Sequence, residues 1–191
     1  HNALRCNTTA SNNVATGKAA LQNNTTGANN TASGTYSLYK NTTAIDNASF
    51  GSAALQNNTT GSYNSAFGRK SLHSNTTSHY NSALGYEALY TNSTGSANTG
   101  IGFRALRLNT TGNYNTAVGR QTLYNNTSGV SNTAIGNRSL FSNTTGDCSV
   151  ALGSAALESA TTAVCNTAIG TYSLVSNTTG QLNTALGALA G

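Results

Sequence analysis

A glycine recurs every 17 residues along the whole chain: Gly17, Gly34, Gly51, Gly68, Gly85, Gly102, Gly119, Gly136, Gly153, Gly170 and Gly187, with no insertion or deletion between them. A strict period of this kind marks a repeat array, in which each unit buries its apolar face only against its neighbours. Four residues after each of the first ten glycines stands a leucine. These are Leu21, Leu38, Leu55, Leu72, Leu89, Leu106, Leu123, Leu140, Leu157 and Leu174, with Leu4 opening the column. An apolar residue precedes the glycine in most copies, among them Phe50, Phe67, Leu84, Ile101, Ile135 and Ile169. Four residues before the glycine the side chain is asparagine in every copy but one, where Ser149 stands. The remaining signature is Asn-Thr-Thr-Gly, as in Asn58 to Gly61 and Asn143 to Gly146.

A unit of this length is too short for a helix pair, and Gly, Asn and Thr are weak helix formers. The pattern predicts an all-β fold: a parallel β-solenoid, or β-roll, of eleven 17-residue coils with two short strands per coil. One strand would run Asn-Thr-Ala-Ile up to the glycine, and the other from the leucine to Thr-Thr. Glycine at both corners would supply the positive φ of tight turns. Each coil is expected to bury one Leu, one Ile-type residue and one Ala. That burial falls well short of the entropy of ordering its backbone, so a lone coil cannot fold. Backbone hydrogen bonds between coils, asparagine ladders and threonine columns must supply the rest. At about 4.8 Å per coil, the stack would be a rod ~50 Å long.

Residues 1–191 read as a single array with no capping domain, since "HNAL" at His1 to Leu4 is already in register and "NTALG" persists to Gly187. Open solenoid ends template further pairing. The expectation is therefore a filament subunit that stacks end to end, or a segment of a longer fibre. A start at His1, without a signal-peptide pattern, reads as a mature product or a fragment.

The unit "NTAIG" at Asn166 to Gly170, with "NSALG" (Asn81 to Gly85) and "NTAVG" (Asn115 to Gly119), resembles the head repeats of trimeric autotransporter adhesins. Similar strings occur in phage and viral fibre proteins. The resemblance implies a left-handed parallel β-roll, usually trimeric, that displays adhesive surfaces outside the cell or on a virion fibre. A weaker likeness, through "GSYNSA" (Gly61 to Ala66), is to the curlin repeats of bacterial surface fibres. Both imply self-association rather than catalysis.

Only 7% of the residues are charged, and the net charge is +5. The basic residues form no run of the kind that reads nucleic acid, and no apolar stretch approaches the roughly 18 residues of a membrane span. Most of them (Lys18, Arg69, Lys70, Arg104, Arg120, Arg138) occupy the two positions after the glycine, a loose positive ridge along one turn. It reads as a solvated edge or as a contact for anionic surface polymers. Tyrosines gather after the leucine (Tyr39, Tyr90, Tyr124) and before the column asparagine (Tyr63, Tyr80, Tyr114). They are read as cross-coil stacks or as sugar-stacking and lateral contact rows. The four acids form no repeated pair, and His73 and His79 lack metal-ligating neighbours. The chain is read as a non-enzyme without a cofactor.

Ten copies of the Asn-Thr-Thr column are Asn-x-Ser/Thr sequons: Asn7, Asn24, Asn41, Asn58, Asn75, Asn92, Asn109, Asn126, Asn143 and Asn177, with Ala160 the exception. Three readings stand: turn hydrogen bonds and ladders, glycosylation, and an ice-binding rank of threonines from Thr8 to Thr179. Cys148 and Cys165 share one column in adjacent coils, where stacking would place them within disulfide range, while Cys6 lies in another column. The pair predicts a disulfide staple and an oxidising, extracellular or cell-surface setting. The function expected is an extracellular structural fibre or adhesive shaft; the alternative is an ice-binding or glycan-binding module, including a viral fibre.

Overall fold

The computed structural model describes residues 2–191; His1 lies outside the described residues, so the register of the opening stretch is seen from Asn2 on. Eleven three-residue strands form one parallel sheet in sequence order: β1 (Val14–Thr16), β2 (Thr31–Ser33), β3 (Ala48–Phe50), β4 (Ser65–Phe67), β5 (Ser82–Leu84), β6 (Thr99–Ile101), β7 (Thr116–Val118), β8 (Thr133–Ile135), β9 (Val150–Leu152), β10 (Thr167–Ile169) and β11 (Thr184–Leu186). Each residue pairs with its equivalent one period away, Ser65 with Ala48 on one side and Ser82 on the other. The chain is a β-solenoid.

Each coil holds one strand, not two. From the leucine to Thr-Thr the chain turns, because the leucine itself sits in the left-handed region, with Leu38 at φ 48° and Leu106 at φ 51°. The coil-to-coil ladder nevertheless continues there. Leu38 N donates to Ala54 O at 3.0 Å, Lys40 N to Gln56 O at 3.0 Å and Thr42 N to Thr59 O at 3.1 Å.

The leucine is one of three non-glycine positions per coil with positive φ. The others are the second residue after the glycine (Tyr36, 57°) and the residue before the column asparagine (Asn29, 59°). An L-residue pays roughly 1–2 kcal/mol for this conformation. Here it turns the amide toward a neighbouring coil: Tyr36 N donates to Lys18 O at 2.9 Å and Asn29 N to Ser11 O at 3.2 Å. No Val, Ile or Thr occupies any of these positions, although threonine is abundant elsewhere in the chain. Branching at Cβ makes left-handed backbone still less accessible.

The two corner glycines have different reasons. Gly34 has φ 137°, and a Cβ there would lie 2.5 Å from Gly51 O, so both conformation and space exclude a side chain. Gly61, at the Asn-Thr-Thr corner, is not left-handed, which corrects the expectation of positive φ at both corners. Its constraint is space: a Cβ would approach Ser78 O at 2.3 Å. The same column holds Ala44, Ser78 and Ala163, all buried, so the backbone accommodates a small side chain there.

Leu21 to Leu157 are fully buried in one continuous stack, and the partly buried Leu174 packs against its end. The central residue of each strand, alanine in all but β3 (Ser49) and β6 (Gly100), also points inward, as Ala66 and Ala117 do. Strand alternation then turns both flanking residues outward. The Ile-type residue expected in the core is therefore on the surface, with Ile101 38% and Ile135 44% exposed.

Replacing Leu106 by isoleucine keeps the volume but places a β-branched residue at φ 51°. Denaturant unfolding should show a loss of about 2 kcal/mol, against less than ~1.5 kcal/mol for Leu106→Met. Equal losses would remove the left-handed backbone as the constraint on this column.

Candidate functional site

The side of the core facing the Asn-Thr-Thr corner is built of amides. In the sequon column, from Asn24 to Asn143, each Asn Nδ2 donates to the Oδ1 of the preceding coil's Asn: Asn41 to Asn24 at 2.7 Å, Asn109 to Asn92 at 2.7 Å and Asn126 to Asn109 at 2.8 Å. The same Nδ2 also donates within its own coil, Asn58 to Gly61 O at 2.8 Å. A second ladder runs through the column asparagines four before the glycine. Asn64 Oδ1 accepts from Asn81 N at 3.0 Å, and Asn81 Nδ2 donates to Gly95 O at 2.9 Å. Buried amides are stable only with such partners.

This settles what the sequons do in the folded rod. Asn24, Asn41, Asn58, Asn75, Asn92, Asn109, Asn126 and Asn143 are fully buried, so their Nδ2 groups do not face solvent as glycan acceptors. That reading is corrected for these eight; only Asn7 and Asn177, near the ends, are not buried. The first threonine of the pair also turns to its neighbour, Thr25 Oγ1 donating to Thr42 O at 3.0 Å. The second threonine is exposed in every coil, from Thr9 to Thr179, with Ser128 the one replacement.

One coil interrupts both ladders. Ala160 stands where an asparagine would donate to Asn143, and among the described residues Asn143 Oδ1 is the buried side-chain atom left without a partner. In the same coil Ser149 replaces the other asparagine; its Oγ still accepts from Asn166 N, at 3.3 Å. Cys148 and Cys165 open this coil and the next. Both thiols are free and exposed, so the expected disulfide is absent from the structure. The shared column does bring the residues together, both at φ 56° with side chains toward solvent. Desolvation, then the neighbouring Cys165 and Asp147, push the Cys148 thiol above its ordinary range and favour the protonated form, the less reactive one.

The charges are segregated around the coil. All nine Lys and Arg residues lie on the arc from the first to the sixth position after the glycine; Arg5, Lys40 and Arg107 join the six that the repeat pattern had placed there. Two acids share that arc, and both are paired. Glu87, 6% exposed, accepts from Arg104 Nε at 3.0 Å and Arg107 Nε at 2.8 Å. Glu158 Oε1 accepts from Arg138 Nε at 2.7 Å. The opposite arc carries Asp46 and Asp147 and no Lys or Arg.

Aromatic rings on this edge stack coil upon coil: His73 on Tyr90 at 5.1 Å, Tyr86 on Phe103 at 5.6 Å, Tyr124 on Phe141 at 5.4 Å. Guanidinium groups lie over them, Arg138 at 4.1 Å from the Phe141 centroid and Arg104 at 4.9 Å from that of Phe103. Tyr63 stacks on Tyr80 in the other column at 5.1 Å. These rings serve cross-coil stacking, the first of the two readings. His79 and His73 have structural partners: His79 Nδ1 accepts from Ser62 N at 3.0 Å, and His73 stacks on Tyr90, its pKa lowered by burial, then by Lys70 and Lys40.

Comparison of the chain with protein-family models, curated proteins and solved structures returns no match.

Two measurements test this architecture. Ala160→Asn should supply the missing donor to Asn143 Oδ1 and stabilise the rod by about 1 kcal/mol in denaturant unfolding; a destabilised variant would show that the gap is a packing requirement. Burial alone would raise the Glu87 pKa, but hydrogen bonds from Arg107, Tyr86 and Arg104 and the Arg107 charge outweigh it and hold it below the ordinary glutamate range. Its stabilising effect is therefore complete above the unfolded glutamate value and is lost as pH falls through the lower folded value. The thermal midpoint should drop across that acid window, and Glu87→Gln should lack that part of the drop.

Proposed function

We propose that this protein is a rigid shaft of an extracellular fibre or adhesive appendage. The observation that carries the reading is the unchanged register across all ten strand pairings, backed by amide ladders through the interior. Such a stack transmits axial and bending loads through backbone and side-chain hydrogen bonds in every coil. The sheet has one free edge at β1 and another at β11. A second copy, or further coils of the same kind, would continue the ladder there, so the partner is the chain itself. The resemblance of "NTAIG" to autotransporter-head and viral-fibre repeats agrees with a place on a cell surface or virion.

Electron microscopy of the purified protein should show uniform, unbranched rods or filaments one solenoid wide or bundled, resistant to protease. Flexible or globular particles would overturn the shaft.

A second reading has one observation in its favour. The exposed threonine rank from Thr9 to Thr179 is kept through eleven coils with the single Ser128 exception, while the other exposed columns vary freely. An uncharged, evenly spaced rank of hydroxyls and methyls suits a crystalline water surface. Thermal hysteresis that disappears in Thr94→Arg would support ice binding; its absence in the unaltered protein would exclude it.

A further inference from the structure

We propose that the cationic edge binds a linear polysaccharide bearing carboxylate or sulfate groups, laid parallel to the rod axis across the coils from Arg69 to Arg138. This goes beyond the shaft reading and does not depend on it, because the edge belongs to each isolated molecule.

Four observations support the assignment. The first is the one-sided charge. The opposite arc has no Lys or Arg, so the field of the rod is directed from one edge. The second is the surplus. The ion pairs among the described residues join Arg104 and Arg107 to Glu87, and Arg138 to Glu158, which leaves Arg69, Lys70 and Arg120 outside any ion pair. Arg69 and Arg120 are exposed. The third is preorganisation. Arg69 lies 5.7 Å from the Tyr86 centroid and donates to Tyr86 Oη at 3.3 Å, while Arg120 lies 6.0 Å from the Phe103 centroid. Planar guanidinium groups held in this way lose less freedom when they grip an oxyanion.

The fourth is the period. Coils rise by about 4.8 Å, so Arg69 and Lys70 in one coil and Arg120 three coils on stand roughly 14 Å apart along the rod axis, a reach that one extended polyanion lying along the edge can span. A nucleic-acid strand fits less well. Single strands are held by bases stacked on free aromatic faces, and here those faces are covered by the neighbouring ring or guanidinium, as in Tyr86 with Phe103 at an interplanar angle of 12°. Charge along one edge remains as the means of recognition, and it suits a polyanion with an outstretched backbone that reaches both groups of unpaired cations.

The test uses the full chain and immobilised heparin, polygalacturonate and single-stranded DNA of matched charge, at low and physiological ionic strength. Binding to heparin, polygalacturonate or both is expected, weakening steeply with salt. Heparin alone would identify sulfate as the recognised group, and both polymers would identify the shared negative charge. The triple variant Arg69→Ser, Lys70→Ala, Arg120→Ser places in each column residues that it already tolerates, at Ser52, Ala53 and Ser154. Its affinity should fall on the order of tenfold or more with unfolding unchanged. Binding of neither polysaccharide at low salt, tighter binding of the DNA, or an unaffected triple variant would each overturn the proposal. Should the variant unfold, Lys70→Ala alone and the salt dependence of the unaltered protein decide.

Discussion

The side-chain amide of asparagine holds this structure together. A coil of 17 residues encloses too little space for an apolar core on both sides, and its sharp Asn-Thr-Thr corner turns carbonyl groups inward. An unpartnered buried carbonyl is costly. Asparagine meets the need because one short side chain carries two donors and an acceptor. Asn58 closes its own corner through Gly61 O and reaches Asn41 in the coil below. Asn64 does the equivalent for the strand entrance, through Ser78 O and Asn47. The leucine stack fills the other half. The absence of insertions follows, since a displaced coil would lose the backbone ladder and both amide ladders at once.

Much of this was legible in the order of residues, and what was not has physical causes. The glycine and leucine columns announced the period, and the period announced a stack. Periodicity alone, however, does not tell which way a side chain points. The apolar residue before the glycine reads as core, yet with the alanine inward it must face out. The sequons are open to ladders and to surface acceptors alike, and the burial of their amides selects the ladders. No second strand forms because the leucine takes left-handed backbone, which leucine as a residue type does not signal. A subtler signal was available: two of the three left-handed columns vary among residues such as Tyr, Arg, Ala, Cys and Asn but never hold Val, Ile or Thr, and exclusion of β-branched residues is what left-handed backbone requires.

The candidate edge was half visible. Six basic residues shared two positions, which reads as a loose ridge. Arg5, Lys40 and Arg107 stand further along the coil and join that ridge only once the chain has turned. The pairing of Glu87 with two guanidinium groups spans 17 and 20 positions, which no local motif could signal. The cysteine-bearing segment shows the converse. Ser149 and Ala160 fall in one coil, and the vacancy left by Ala160 shows in the adjacent coil, at Asn143 Oδ1.

The unbroken register has a consequence for how such a chain can change. A single inserted residue shifts every later column, whereas a whole coil removed or duplicated leaves all the remaining contacts as they were. Length is therefore free to vary, but only in whole steps, and recombination between near-identical repeats supplies those steps. A lineage carrying this architecture can lengthen or shorten its reach without refining a new interface, because the interface needed at each new junction is the one already present at every old one.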